Sequence, residues 1–539
     1  MADRFRFRRN ASIGAAAAEE DDRFLAECFV DTGDLATLMD CADPRRVILG
    51  RTGIGKSALL SRVAAHKNAI LISPESLSFN YLANSLILQF FAEAGVKLDL
   101  FFTLLWRHVF TVELLKTRYG ITNEATKLTF LDRIREKVAR NRKKERAIKY
   151  LLQWGDKFWE PTEYRIKEIT GRIEKDLEAK AGLKAPMLEL GASGAAKLTR
   201  EEKSEIVQRG QAVINEIQIR ELTDVVEFLN EDIFDDPQRH YYVVIDKLDE
   251  NWIDDRFRYL LIRSLIETVR DFQKVKNIKV LVVLRTDLIE RVFRFTRDPG
   301  FQEEKYRSLF LQLRWTAEQL TALLDARVSY LVKQTYTKEP AVATDLLPSK
   351  IDGENALSYM LRRTLMRPRE LIEFFNECIQ RSEGKPTITK AAMLDAEGTY
   401  SKLRLRSLQD EWVADYPSLL DFAGILQKRP SKFGLPDIGD DVVEGFCLNY
   451  AIDHPERVDQ LSVTARQAAE GALPTRAFLA GLFHVFYRTG IVGLRTATSE
   501  RIQWSYVGTE TIPADTIDAT TRVEVHPTFW RVLGIHPRT

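Results

Sequence analysis

The chain has 539 residues, of which 45% are hydrophobic and 29% are charged. These values predict a soluble globular protein with two to four domains. The formal net charge is +1, so no global field would draw the protein to nucleic acid or to a membrane. No apolar run reaches the roughly 18 residues of a membrane span, and no apolar signal core follows the basic N-terminus. We therefore expect a cytoplasmic protein without membrane contact.

Cysteine and histidine spacing indicates neither a disulfide framework nor a metal centre. The four cysteines lie far apart and form no C-x-x-C pair, which predicts reduced and mostly buried thiols. The seven histidines show no spacing typical of metal ligands. The chemistry of the chain has to come from other residue types.

Residues 1–20 are polar and rich in alanine, and they predict a flexible arm. From Asp21 the sequence becomes helical, with acidic residues at the start of the helix, where the helix dipole favours them. We assign residues 21–119 and 216–315 to one α/β core.

A glycine-rich loop follows the first short apolar run of this core, residues 47–49. Residues 50–57 read GRTGIGKS and match G-x-x-x-x-G-K-[ST], and a helical pattern begins directly after them. Strand, glycine loop and helix in this order are typical of a phosphate-binding loop (P-loop). The glycines let backbone N–H groups point at phosphate oxygens, and the helix N-terminus adds partial positive charge.

The loop predicts most of a nucleotide site. We expect Lys56 to reach the β- and γ-phosphates and the Ser57 hydroxyl to ligate Mg²⁺. No N-K-x-D guanine motif is present, so ATP is favoured over GTP. The predicted nucleotide-binding residues of this segment are Gly50, Arg51, Thr52, Gly53, Ile54, Gly55, Lys56, Ser57 and Ala58.

A second strand, residues 69–72, and apolar helices up to residue 119 come next. Residues 120–215 are charged, helical in period and free of nucleotide motifs, so we interpret them as a helical insertion. Its basic block, residues 133–149, could bind nucleic acid. A solvated helix face is the favoured alternative, because two glutamates alternate with the basic residues.

The second motif is YYVVIDKLDENW. Its apolar, β-branched run, residues 242–245, predicts a central parallel strand that ends in Asp246. An acid at the end of a strand beside the loop strand would hold the Mg²⁺ ion or its water shell. Asp249 or Glu250 could orient or deprotonate the attacking water. The alternative for these two acids is the start of a helix.

Two further positions are candidates for contact with the γ-phosphate. The buried run of residues 278–284 predicts a strand that ends near Thr286, a polar residue placed to act as a sensor. Arg307 precedes another strand, residues 309–313, and could act on the nucleotide of a neighbouring subunit in a homo-oligomer. The alternative for Arg307 is an ordinary surface or ion-paired arginine.

Residues 316–390 predict a helical lid. Thr316 and Gln319 form a capping box at its start, and Pro368 suits the first turn of a later helix. Arg367 and Arg369 lie at the N-terminal end of that helix, where a lid arginine could reach the phosphates. The alternative is ordinary lid packing with exposed arginines.

Residues 391–539 predict a separate, winged-helix-like domain. Helices dominate as far as residue 487, and two strand-like runs then flank the polar turn at residues 497–500, which indicates a hairpin. Such a domain could bind DNA, bind protein or hold the switch closed. Four arginines could meet a phosphate backbone, namely Arg476, Arg488, Arg495 and Arg501.

The order of these motifs resembles the AAA+ superfamily in its initiator-like and STAND branches. Residues 246–250, DKLDE, look like the D-G-L-D-E of NACHT-type ATPases, with Lys247 in place of the small residue. Residues 366–369, MRPR, are similar to the G-N-P-R motif of origin-recognition and STAND proteins. The chain looks most like a group of bacterial P-loop ATPases that share the DKLDE motif. The resemblance covers about residues 22–115 and 221–390.

These observations predict a P-loop ATPase that uses ATP and Mg²⁺. For its biological role, the resemblance alone implies an oligomerising switch in a bacterial stress or anti-phage system. A DNA-binding ATPase of the initiator or transposition-helper type is the alternative, through the C-terminal domain or the basic insertion. A third is a scaffold that holds ATP without turnover. No nuclease or protease constellation is present, so a destructive effector would be a partner protein.

Overall fold

The computed structural model describes residues 5–537, apart from 78–81, 83, 139–170, 172–174, 176–190, 197–198, 202, 205–206, 209–225, 228, 251, 298–302, 336–339, 498 and 508–511. The chain divides into two compact units. The sheet unit comprises residues 33–51 and 56–313. The lid unit comprises residues 1–32, 52–55 and 314–539. The tip of the glycine loop, residues 52–55, is therefore grouped with the lid unit.

The sheet unit is built on five parallel strands in the order β2-β3-β4-β1-β5. Short apolar runs rich in valine and isoleucine form the central strands, and these are almost wholly buried, as expected where helices cover both faces of a sheet. The predicted α/β class is confirmed, and this strand order is compatible with a P-loop-like core. The strands are β1 Val47–Gly50, β2 Ala69–Ile72, β3 Tyr241–Ile245, β4 Ile278–Arg285 and β5 Phe310–Gln312.

One prediction about this sheet was wrong. The sequence predicts that the strand ending before Asp246, β3, lies beside the loop strand β1, but β4 lies between them. Val282 of β4 pairs with Val47 on one side and with Ile245 on the other. Because all three strands are parallel, the loop and Asp246 still lie at the same carboxyl edge of the sheet.

Helices surround the sheet and bury one continuous apolar cluster with it. The helix of residues 99–119 is buried on most of its faces, and the indole of Trp106 within it donates to the carbonyl of Leu261 at 2.9 Å. The α-helices of this unit are α2 Asp34–Met39, α3 Lys56–Ala64, α4 Leu86–Ala94, α5 Asp99–Tyr119, α6 Glu124–Val138, α7 Gly191–Ala196, α8 Asp255–Asp271 and α9 Thr286–Phe295. Most of the predicted insertion, including residues 139–149 of its basic block, lies outside the described residues.

The lid unit contains two apolar clusters, one formed by residues 5–400 of the unit and one by residues 405–535. A single helix, α14, contributes to both. The α-helices are α1 Asp22–Cys28, α10 Ala317–Thr335, α11 Ala343–Leu346, α12 Ala356–Leu361, α13 Pro368–Gln380, α14 Lys390–Trp412, α15 Leu419–Ala423, α16 Asp440–Asp453, α17 Gln460–Ala469, α18 Thr475–Thr489 and α19 Trp530–Leu533.

The N-terminal segment is held in place from residue 5 onward, in contrast to the flexible arm expected from its composition. Phe7 and Ile13 are buried in the first apolar cluster of the lid unit. The amide of Phe7 donates to the carbonyl of Lys385 at 3.0 Å, and the amide of Ile13 donates to the side chain of Asn376 at 2.9 Å. Aromatic residues spaced among arginines therefore anchor the segment. The polar composition of the segment as a whole gave no sign of these anchors.

Among its described residues, the lid unit also has five short strands: β6 Lys350–Ile351, β7 Glu354–Asn355, β8 Lys432–Gly434, β9 Val492–Arg495 and β10 Arg522–Val525. The last three form an antiparallel sheet in the order β8-β10-β9. The predicted hairpin is reduced to a single antiparallel bridge between Leu494 and Gln503, because β9 pairs mainly with β10. All four cysteines are buried and form no disulfide. Within the described residues, no helix has the length and apolar character needed to cross a bilayer.

Candidate functional site

The glycine loop connects β1 to helix α3 and contains two glycines in a left-handed conformation. β1 ends at Gly50, and helix α3 begins at Lys56. Gly53 and Gly55 have φ angles of 78° and 99°, a left-handed region that residues with a side chain rarely adopt. Among the described residues, no hydrogen bond is made by the N–H group of either glycine. The loop therefore carries amide groups that could donate to an anion.

The loop is closed from within by Lys56. Its Nζ donates to the carbonyls of Gly50 and Arg51, both at 2.9 Å. The ammonium group is therefore held under the loop, at the N-terminus of α3, where the positive end of the helix dipole also lies. Lys56 and Ser57 are both half-buried.

Three successive carbonyls at the tip of the loop accept hydrogen bonds from the lid unit to which the tip belongs. The guanidinium of Arg367 donates to Thr52 at 3.1 Å, and the amide of Arg369 donates to Gly53 at 3.4 Å. The indole of Trp315 donates to Ile54 at 2.8 Å. We call these three donors the tip clamp.

Arg367 is nearly inaccessible, with 1% of its side chain exposed. Its guanidinium lies 2.8 Å from the carboxylate of Glu411 and 3.7 Å from that of Glu370. Burial alone would lower the pKa of Arg367, but the charges of Glu411 and Glu370 raise it above its usual value. The guanidinium therefore stays charged in an interior site. The side chain of Arg369 donates to the carbonyl of Ala16 at 3.2 Å. Both arginines thus contact carbonyl oxygens in this structure, whereas the sequence suggests a reach toward phosphate.

The acidic motif ends β3 and turns sharply. Asp246 is half-buried, and its carboxylate accepts from the amide of Lys247 at 2.8 Å. Lys247 has a φ of 62°, which explains why a glycine is found at this place in the motif that it resembles. Asp249 and Glu250 are exposed in the turn, and Glu250 lies 3.7 Å from the ammonium of Lys247. The alternative of a helix start was wrong, because α8 begins only at Asp255.

Thr286 follows β4 and begins α9 at the same carboxyl edge of the sheet. Its hydroxyl is buried and has no hydrogen-bond partner among the described residues. The neighbouring Asp287 accepts from Arg285 at 2.9 Å and from Arg291 at 2.7 Å, so it is committed to a local ion-pair cluster. The hydroxyl of Thr52, in the loop tip, is also buried without a described partner. Both hydroxyls are donors that a bound group could satisfy.

Arg307 lies away from these residues. It precedes β5, which runs parallel to β1, so it sits at the amino edge of the sheet, opposite the loop. It is exposed and makes no hydrogen bond or ion pair with the described residues. The structure therefore does not bring Arg307 to the loop of its own chain.

The residues at the carboxyl edge suit a phosphate group with a divalent cation. The left-handed glycines and the amides of Gly53 and Gly55 are features that a phosphate would satisfy. In the sheet unit, the unpartnered hydroxyl of Thr286 is a donor that a bound group could satisfy. The predicted metal ligands are only Ser57 and Asp246, which leaves coordination positions for phosphate and water. The described residues contain no cluster of three or more histidine, cysteine or acidic side chains that could hold a metal by themselves.

The four C-terminal arginines fall into two classes. Arg476 donates to the carbonyls of Leu435 and Ile438, and Arg488 donates to the hydroxyl of Tyr416 at 2.5 Å. Arg476 is also exposed, but it pairs with Asp440 at 2.9 Å. Arg495 and Arg501 are exposed and make no hydrogen bond or ion pair with the described residues. The sequence pattern did not indicate a fifth candidate arginine, Arg522 of β10. Arg522 is exposed and lies directly opposite Arg495 of β9.

Two comparisons with known proteins bear on the chain. Residues 318–409 match the family model described as the FunZ-associated C-terminal helical domain, a span that runs from α10 into α14. The whole chain is similar to the "Putative transposon gamma-delta 80.3 kDa protein" of Escherichia coli (strain K12). The two are 21% identical over 541 aligned residues, which cover 97% of this chain and 67% of that protein. No solved structure matches the chain.

Proposed function

We propose that this chain is a P-loop ATPase that binds ATP and Mg²⁺ at residues 50–58 and uses nucleotide binding as a switch. On this proposal the five-stranded sheet is an AAA+/STAND-like core, residues 316–390 are its lid, and the C-terminal sheet with its helices is winged-helix-like. The observation that carries the proposal is the loop itself. Its two left-handed glycines, Lys56 under the loop and helix α3 behind it form a cradle whose amides can donate to a phosphate.

The residues would divide the work as follows. Lys56 would leave the loop carbonyls and contact the β- and γ-phosphates. Ser57 and Asp246 would hold Mg²⁺, which when bound neutralises charge on the transferred phosphoryl group. Thr286 would donate its unpartnered hydroxyl toward the γ-phosphate, and Glu250 or Asp249 would orient or deprotonate the attacking water.

One proposed cellular role combines a switch with an oligomer, as the resemblance implies. Arg307 is exposed at the edge of the sheet opposite the loop, so it would act only on the nucleotide of another copy. Such a switch would control an effector protein in a stress or anti-phage response.

A second role is favoured by the comparison with the transposon protein. That likeness extends over 97% of this chain, so it includes the core, the lid and the C-terminal domain. It supports the alternative of a DNA-binding ATPase of the transposition-helper type. The two roles can be distinguished experimentally, because only the second requires the protein to bind DNA.

Calorimetric titration with ATP in the presence of Mg²⁺ tests the proposal. We expect the purified chain to bind ATP, and Lys56→Ala to weaken binding at least about 100-fold through loss of a charged contact. Lys67→Ala, at an exposed position just beyond α3, is the matched control and should bind like the unchanged chain. Absence of binding at millimolar ATP would refute the proposal.

A further inference from the structure

The tip clamp is connected to a helix that reaches the C-terminal apolar cluster. Arg367, one of the three clamp donors, pairs at 2.8 Å with Glu411, which lies in the last turn of α14. The pair is almost completely enclosed, with 1% of the Arg367 side chain and 4% of the Glu411 side chain exposed. A shift of either partner would therefore leave a buried charge without its counter-charge, which costs free energy.

Helix α14 belongs to both halves of the lid unit. Its first part packs into the first apolar cluster through Met393, Ala396 and Tyr400. Its last part packs into the C-terminal cluster through Leu408 and Trp412. A helix of 23 residues moves largely as one body, so displacement at its C-terminal turn is felt in both clusters.

Other ionic contacts fix α14 near Arg367. Arg404, also on α14, lies 3.2 Å from Glu370 and 2.9 Å from Glu373 of helix α13. Glu370 is fully buried and also accepts from the backbone amide of Leu365, in the turn that leads to Arg367. The guanidinium of Arg367 therefore has few alternative positions.

We propose that the tip clamp makes nucleotide binding at the glycine loop and the packing of the C-terminal end of α14 interdependent, with Arg367 and Glu411 as positioning residues. The clamp engages the carbonyls of Thr52, Gly53 and Ile54, and the amides of Gly53 and Gly55 keep no partner among the described residues. A phosphate would bind the amides of the same loop. Binding therefore strengthens the clamp, and by linkage the clamp strengthens binding. This inference rests on the proposed function.

Hydrogen exchange with and without ATP and Mg²⁺ tests the interdependence. In the unchanged chain, ATP should slow exchange in a peptide that covers residues 402–412. In Glu411→Gln, ATP should still bind, about 3- to 10-fold more weakly, and exchange in that peptide should no longer respond. Asp395→Asn, which removes an exposed ion pair of the same helix, is the matched control and should keep the full response.

A second variant keeps the inference testable if Glu411→Gln does not fold. Trp315→Phe removes one clamp donor and leaves the pair of Arg367 and Glu411 intact. It should weaken ATP binding by a similar factor and retain the exchange response. If the unchanged chain binds ATP but residues 402–412 do not respond, or if Trp315→Phe binds ATP like the unchanged chain, the inference is refuted and the proposed function stands. If the unchanged chain binds no ATP, both fail.

Discussion

At the scale of single residues, the turn after β3 holds two exposed acids that differ in their contacts. Glu250 lies near Lys247, whereas Asp249 makes no hydrogen bond or ion pair with any described residue. Lys247 is held in a left-handed conformation directly after Asp246, so the turn projects a basic side chain where the resembling motif has a small residue.

The contact with Lys247 restrains Glu250, whereas Asp249 has no such contact with a described residue, so we expect Glu250 to orient the attacking water in the proposed hydrolysis. Glu250→Gln should lower kcat about 100-fold or more and leave ATP affinity nearly unchanged, because a general base acts on the transition state. Asp249→Asn is the matched isosteric control and should change kcat less than about threefold. Phosphate release under steady-state conditions measures both. Equal turnover in Glu250→Gln and the unchanged chain would favour the scaffold that holds ATP without hydrolysis.

His526 is a second residue with a testable contribution. Its ring is buried, accepts the amide of Thr528 at Nδ1 and lies 2.9 Å from the hydroxyl of Tyr506 at Nε2. Desolvation, together with the charges of Arg363, Arg367 and Arg362, lowers the pKa of His526 to about 3. The imidazole therefore stays neutral in the folded protein at every pH near neutrality.

The sign of the pH dependence follows from this pKa. Below about pH 6.5 the unfolded chain takes up a proton that the folded chain refuses, so the free energy of unfolding falls as the pH falls toward 3. Between pH 6.5 and 5 this histidine should account for a loss of about 1 to 2 kcal/mol. Urea unfolding at both pH values measures it. The variant His526→Asn has no titrating group at this position, so its free energy of unfolding should fall less between the two pH values, by the amount given above. The control His536→Asn, at an exposed position, should show the same fall as the unchanged chain.

At the scale of elements, the glycine loop depends on two separate properties of Gly53. Its φ of 78° disfavours any side chain, and a Cβ there would lie 2.9 Å from the Cβ of Arg369. Gly53→Ala should therefore combine backbone strain with displacement of a clamp residue. Gly471 isolates the first effect, because its φ is 73° and a Cβ added there would have no neighbouring atom within 4 Å.

We expect Gly53→Ala to weaken ATP binding at least about tenfold, since the loop has to shift before phosphate can bind. Gly471→Ala should cost only about 1 kcal/mol of stability and leave ATP binding unchanged. Thermal unfolding of the two variants measures the cost of backbone strain, and calorimetric titration with ATP measures the additional effect of displacing Arg369. Normal ATP binding by Gly53→Ala would show that the tip geometry does not determine affinity.

The strands of the core could be predicted, but their order could not. Buried parallel strands appear in the sequence as short apolar runs rich in β-branched residues, which is why residues 242–245 and 278–284 are recognisable. Pairing is a long-range property, and β4 inserts between β1 and β3 although it follows both in sequence. No local pattern contains that information.

The glycine loop could be predicted for the same local reason, whereas its clamp could not. A P-loop is one continuous motif, but Trp315 acts through a single indole N–H on a residue 261 positions earlier in the chain. In the sequence Arg367 is visible only as an arginine before Pro368, and its buried pair with Glu411 depends on the packing of α14. Positions that act through tertiary contacts leave no periodic or spacing signal.

At the scale of the whole molecule, the net charge of +1 means that DNA binding would have to rest on a local patch. The C-terminal sheet offers one. Arg495 and Arg522 are exposed and directly opposite each other on β9 and β10, and neither forms an ion pair with the described residues. Like charges in this arrangement destabilise a sheet, so the pair has a cost that a bound phosphate would remove.

The transposition-helper alternative therefore predicts that these arginines, and not Arg476 or Arg488, determine DNA affinity. The double change Arg495→Ala and Arg522→Ala should weaken binding to duplex DNA and reduce the slope of log affinity against log salt by about 2, one unit for each lost phosphate contact. Arg476→Ala, which removes an arginine bonded to two internal carbonyls, is the control and should keep the slope. Fluorescence anisotropy across a range of salt concentrations measures it. If the unchanged chain shows no salt-dependent binding to DNA, the nucleotide switch with a protein partner is the role that remains.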